Sequence, residues 1–355
     1  MKKTFTTALA ATALFGLTAC SGGGSASGTK LIPEKATMLV GIDVGGLTKS
    51  KLYTDNKAMM EAAPEAKEAM DAAKACNIDI EKMGTILIGT DAAQPKPNVT
   101  AVITGEGIGD EANLKCIAEK AKEKNGTAPF TVEGKELKME GDDGVGYIVD
   151  GKTVVIATSG WAASTKELID GKGKSAADGP NKDLFGRADQ SKHIWFSGLL
   201  PAEAAGQLKG SPAEGLKDIS GSMDLSNGVA FTVTAGAESA EKAEEMKKQA
   251  EEQFGMVKGM AGLFGVPAGV VDSVKFESSG NAISVSAKAT AEDIKAIQEG
   301  AGKMMGGGMG GGMGGPPMDA PPMGDMPAGD APAGDAPAGD APAGDAPADA
   351  AEAAE

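Results

Sequence analysis

Three two-residue turns limit this chain more than any other feature. Asp150-Gly151, Asn227-Gly228 and Gly280-Asn281 each stand between two short runs of apolar residues. Tight hairpins need a left-handed turn residue, which Asn, Asp and Gly tolerate and bulkier residues do not. Val145 to Val149 and Thr153 to Ala157 therefore read as one hairpin, and Ile219 to Leu225 and Val229 to Thr234 as a second. Val271 to Phe276 and Ile283 to Ala287 read as a third. In the last run, Ile283-Ser284-Val285-Ser286-Ala287, apolar and hydroxyl residues alternate, which suits an antiparallel sheet with one wet face.

Helical spacing falls between these strands. Ala66, Ala69, Met70, Ala73 and Cys76 each lie three or four residues from another member of one stripe, after Pro64, which fits a first helical turn. Leu114, Ile117, Ala118 and Ala121 form the stripe of a second helix, which Asn125-Gly126 ends. A short helix follows from Trp161 to Ile169, and Phe130 to Met139 reads as one weak strand. A long amphipathic helix carries Ala240, Ala243, Met246, Ala250, Phe254, Val257, Met260 and Phe264 on its apolar face. With aromatics at only 4%, the core must be built from Ala, Val, Ile, Leu and Met.

The two halves repeat one order of events: strand, helix, two strands, helix, hairpin, helix. The expected fold class is α+β, with two similar small domains of ferredoxin-like character, each an antiparallel sheet with helices on one face. The expected divisions are a first domain over 31–170, a polar linker over 171–190 and a second domain over 191–305. From Gly306 to Glu355 the chain holds Gly, Met, Pro, Ala and Asp with two Glu, nine acidic residues in all and no basic one. Nothing there can build a core, so a disordered tail is expected. The formal net charge of -16 comes with no basic patch, which argues against nucleic acid as a partner.

The N-terminus joins Lys2-Lys3 to an apolar run from Ala8 to Leu17, too short for the roughly 20 residues of a spanning helix. Leu17-Thr18-Ala19-Cys20 follows, then Ser21 and three glycines. This stretch resembles the lipobox of bacterial lipoproteins. The resemblance implies that residues 1–19 are a signal peptide and that Cys20 becomes an acylated first residue. It also implies a cell-envelope location, with Ser21 suiting the outer membrane. Residues 20–30 then form the lipidated start and a flexible tether, whose mean reach is roughly 17 Å. The membrane, through the lipid, is the implied partner. The body resembles bacterial secreted proteins whose functions are uncharacterised.

With Cys20 acylated, Cys76 and Cys116 remain as an even pair in an oxidising compartment and are expected to form a disulfide. Gly41-Ile42-Asp43-Val44-Gly45-Gly46-Leu47-Thr48-Lys49 resembles the first phosphate loop of sugar kinases in the actin-like ATPase superfamily. Leu47 intrudes before Thr48 and also stands where a Walker loop needs Lys, so a strand turning through glycines into a helix is the reading taken. Gly105-Glu106-Gly107-Ile108-Gly109-Asp110 departs from a dinucleotide loop in its third glycine spacing. His193, alone of its kind, reads as a strand-end residue. Met304, Met305, Met309, Met313, Met318, Met323 and Met326 offer soft thioethers suited to Cu(I), with no other cofactor indicated.

The leading expectation is a non-enzymatic, lipid-anchored envelope protein that binds or spaces, with another envelope protein or a small apolar ligand as its partner. Copper handling by the Met-rich segment is the alternative, and an envelope enzyme of unknown reaction comes third. The anchor is checked by Cys20→Ser: the variant is expected to leave the membrane fraction and to take up no labelled palmitate, whereas unchanged membrane association would refute it.

Overall fold

Alternation of apolar and polar residues makes the strands, and pairing joins them all into one sheet. The computed structural model describes residues 28–307, apart from 93–95, 142–143, 212 and 263–264. A 3₁₀ turn, Thr29–Leu31, leads to β1 (Met38–Asp43). Three helices follow: α1 (Val44–Lys49), α2 (Lys51–Glu61) and α3 (Pro64–Ala75). After them come β2 (Met83–Thr90), β3 (Val99–Gly105) and α4 (Glu111–Asn125), which Gly126 closes at φ 81°. Two hairpins, β4 (Phe130–Glu133) with β5 (Glu136–Met139) and β6 (Gly144–Asp150) with β7 (Thr153–Thr158), lead to α5 (Ser159–Ile169). The second half contains α6 (Lys182–Phe185), β8 (Ile194–Leu199), α7 (Ala202–Gln207), β9 (Leu216–Asp224) and β10 (Val229–Ala237). It ends with α8 (Ala240–Ala261), α9 (Ala268–Asp272), β11 (Lys275–Ser279), β12 (Ala282–Ala289) and α10 (Ala291–Gly307).

The fold is mixed α/β, and its sheet is antiparallel throughout, in the order β11-β12-β10-β9-β8-β1-β2-β3-β7-β6-β5-β4. The two expected sheets are thus one. β1 pairs with β2 along one edge and with β8 along the other, Ile42 opposite Ile194 and Met38 opposite Gly198. Two separate sheets would each leave an unpaired central edge, and pairing removes both. Residues 171–190, expected as a linker, contribute Ala176, Leu184, Phe185 and Ala188 to the buried interior. Their few apolar residues are scattered among Gly, Lys and Asp, which hides the packing role in the sequence. The weak strand expected over Phe130 to Met139 is a hairpin, turned at Gly134 with φ 62°.

The sheet has two distinct faces. On the front lie Leu39, Leu87, Val102, Val155 and Trp195, buried beneath Ile32, Ala36, Trp161 of α5, Ala176 and Phe185. On the back, α4 covers Ile148, Val154 and Leu137 through Leu114, and α8 covers Ile283 through Ala243 and Met246. In the second half α8 therefore packs on one face. In the first half α4 and α5 lie on opposite faces, because Val154 and Val155 point opposite ways. The apolar stripe of α8 is only partly buried: Phe254 meets Phe276 of β11 and Ala261 is buried, but Val257 is 53% and Met260 48% exposed.

Gly41 makes the seam between the halves possible. A Cβ there would lie 2.1 Å from Nε1 of Trp195, whose ring is 1% exposed. Gly41→Ala is expected to cost about 1–3 kcal/mol by overpacking. The check is a lowered urea midpoint at unchanged slope; an unchanged midpoint would show that the ring yields freely.

Candidate functional site

Neither glycine loop of the sequence is an open anion cradle. Asp43 caps α1 by accepting from the Gly46 N–H at 2.9 Å, which sets a carboxylate where a phosphate would bind. Asp110 does the same for α4, accepting from the N–H groups of Ala112 and Asn113. His193 is a strand-end residue, and its Nδ1 accepts from the Leu225 N–H at 3.0 Å, fixing the turn after β9.

A groove of about 560 Å³ opens on the front face of the second half. Register builds its floor. Ser222 of β9 lies opposite Thr232 of β10, Thr232 opposite Ser286 of β12, and Ser286 opposite Lys275 of β11. One step along, Asp224, Ala230 and Lys288 form the next row. Asp272 of α9 and the capping Ser273 close one side, with the Ser273 Oγ donating to the Lys288 carbonyl at 2.9 Å. Lys192 closes the other side and donates to the Asp224 carboxylate at 2.9 Å.

Asp224 is the electrostatic fixed point here. Hydrogen bonds from Ser226, then that of the Lys192 ammonium, hold its carboxyl far below the usual carboxylate range. The Asp224 Oδ1 also lies 3.5 Å from the His193 Nδ1. The groove offers hydroxyls and ammonium groups for binding polar atoms, and among the described residues no three His, Cys, Asp or Glu side chains group to hold a metal.

The back face between α4 and α8 differs in kind. Val40 and Ile42 of β1 align with Ile88 and Ile86 of β2 on one side and with Phe196 and Ile194 of β8 on the other. Ala101 and Ile103 extend the apolar rows to β3, and Gly221 and Met223 extend them to β9. The ring of Phe196 lies over Gly221, where a Cβ would meet it at 2.7 Å. All of these except Gly221 are only half-buried, and they stand outside the buried clusters. The strand ladders consume the backbone polar groups, so this surface is apolar throughout.

Of the residues singled out in the sequence, Cys76 and Cys116 are joined by a disulfide, Cα to Cα 5.5 Å, tying the end of α3 to α4. Met304 and Met305 belong to α10. Cys20, Met309, Met313, Met318, Met323, Met326 and the expected acidic tail lie outside the described residues. Sequence reading missed Lys275, Lys288 and the groove; the only signal was the hydroxyl alternation of β12.

No protein-family model matches the chain, and no curated protein sequence does. Among solved structures, crystal form III of TP0453 is similar with a TM-score of 0.47 at 8% identity, over 76% of this chain and 96% of that one. Crystal form I of TP0453 gives 0.47 at 9% identity, over 77% and 97%. The similarity is distant.

Asp224 yields a pH-dependent expectation. Its carboxyl is depressed in the folded state, so its contribution is fully present above the ordinary carboxylate pKa of about 3.9 and fades as pH falls below that value. Asp224→Asn is expected to cost about 1–2 kcal/mol at neutral pH, discounted for partial solvent screening. Urea midpoints of the two proteins should converge as pH drops from 5 to 2 (roughly the titration window), and a constant gap would disprove the assignment.

Proposed function

We propose that this chain is a lipid-anchored protein of the cell envelope that works by binding, without catalysis, and that it holds an apolar ligand against the back face of its sheet. The outer membrane is the proposed location and the acylated Cys20 the proposed anchor. The observation that carries the reading is the contiguous, half-buried apolar patch formed by Val40, Ile42, Ile86, Ile88, Ile194 and Phe196 across three adjacent strands. Soluble proteins rarely leave such a contiguous patch without a use for it. α4 and α8 stand on the same face to either side, so the patch is the floor of a trough. Five strands separate the two covered regions, which at about 4.8 Å per strand makes the floor roughly 20–25 Å wide. With no donor or acceptor on that floor, recognition rests on apolar area, at about 25 cal/mol per Å² removed from water. An acyl chain meets that description, and a short lipidated tether would keep the trough close to a source of such chains.

The test uses the mature chain carrying Cys20→Ser and a fluorescent fatty-acid probe. Saturable binding is expected, weakened tenfold or more by Ile88→Asp and separately by Phe196→Asp, with both variants retaining wild-type circular dichroism. Absence of saturable binding, or equal affinity in folded variants, would defeat this reading.

A further inference from the structure

The front groove is chemically the opposite of the back trough, and α8 covers the reverse side of its β10 and β12 floor. We propose that it binds an oxyanion, the phosphate or carboxylate group of a polar ligand, between Lys275 and Lys288 over the hydroxyls of Ser222, Thr232 and Ser286. Lys275 lies directly across from Ser286, and Lys288 lies two residues along the same strand, on the same face. Both ammonium groups can therefore converge on one ligand group beside the Ser286 hydroxyl.

The charges nearby are already matched. Lys192 is paired with Asp224 at 2.9 Å, and Asp272 with Lys258 at 2.7 Å. Lys275 and Lys288 have no ion-pair partner among the described residues, in a chain with 50 acidic side chains and 34 basic ones. The hydroxyls show the same contrast. One row away, Thr234 and Ser284 bond to each other at 2.8 Å. Ser222, Thr232 and Ser286, in the groove, make no such bond among the described residues. Free hydroxyl donors beside two unmatched ammonium groups suit an acceptor-rich anion. A volume of about 560 Å³ lies within the range of small-molecule sites, so the oxyanion can belong to a ligand the size of a sugar phosphate.

A phosphate could come from a soluble ligand or from a lipid head group, and two probes separate these sources. The mature chain carrying Cys20→Ser is titrated calorimetrically with inorganic phosphate. It is also floated with phosphatidylcholine vesicles, with and without phosphatidylglycerol. Binding to at least one probe is expected, weakened tenfold or more by Lys275→Gln with Lys288→Gln and a few-fold by Ser286→Ala. Phosphate binding alone assigns a soluble ligand, and flotation that requires phosphatidylglycerol assigns a head group. Both lysines are exposed, so the double variant is expected to fold and to keep the fatty-acid probe affinity of the back face. The proposal is overturned if neither probe binds, or if the double variant binds as well as the parent. It is also overturned if Lys135→Gln with Lys172→Gln, two exposed lysines outside the groove, produces an equal loss, since bulk charge would then suffice.

Discussion

The pairing of β1 with β8 is the constraint on which the rest of the structure depends. β1 is bonded on both edges, to β2 from its own half and to β8 from the other. Its front face is buried at Leu39, and its Gly41 makes room for Trp195. The main front cluster crosses this seam: Leu87, Val102 and Val155 come from the first half, and Phe185, Ala188 and Trp195 from the region that follows. A break at the seam would expose two strand edges and divide that cluster. This is why duplication of element order does not produce two independent sheets.

The hairpins were legible because turn chemistry is local. All three expected hairpins form, but only Gly280-Asn281 is the two-residue turn itself; the β6–β7 reversal falls one residue later, at Gly151-Lys152, and β9–β10 are joined by the four residues 225–228, with Gly228 at φ 105°. The seam was illegible because its partners lie far apart in the chain, Val40 opposite Phe196, and no local pattern marks which free edges meet. The partial exposure of α8 escaped for a related reason. A continuous apolar stripe predicts a buried face only where something lies opposite, and Val257 and Met260 stand exposed outside the cluster that holds Ala243 and Met246.

Both candidate surfaces follow the same division between local and non-local information. Alternation in Ile283-Ser284-Val285-Ser286 shows that one face of β12 is polar. It cannot show that Ser286 will meet Thr232 and Ser222, since each step needs the register of another strand. A slip of one residue in β10 would exchange Thr232 in the hydroxyl floor for Phe231 or Val233. Register is secured on the opposite side of the sheet, where Ile283 and Ala235 pack beneath α8. The buried back of β10 and β12 thus fixes the geometry of the polar front.

The uncovered trough has a geometric origin. Twelve strands at about 4.8 Å spacing make a sheet more than 50 Å wide, while a helix with its side chains covers about 10–12 Å. On the front, residues 28–36, α5 and 171–190 lie side by side over the middle strands and bury them. On the back, α4 serves β5 to β7 and α8 serves β10 to β12, near opposite ends of the strand order. The strands between them remain only half-buried while carrying Val and Ile, residues that a wet face would replace with Ser and Thr, as the front of β9, β10 and β12 does. Joining the halves through β1 and β8 therefore sets their uncovered strands side by side. The seam that unites the front core thereby assembles the apolar floor behind it.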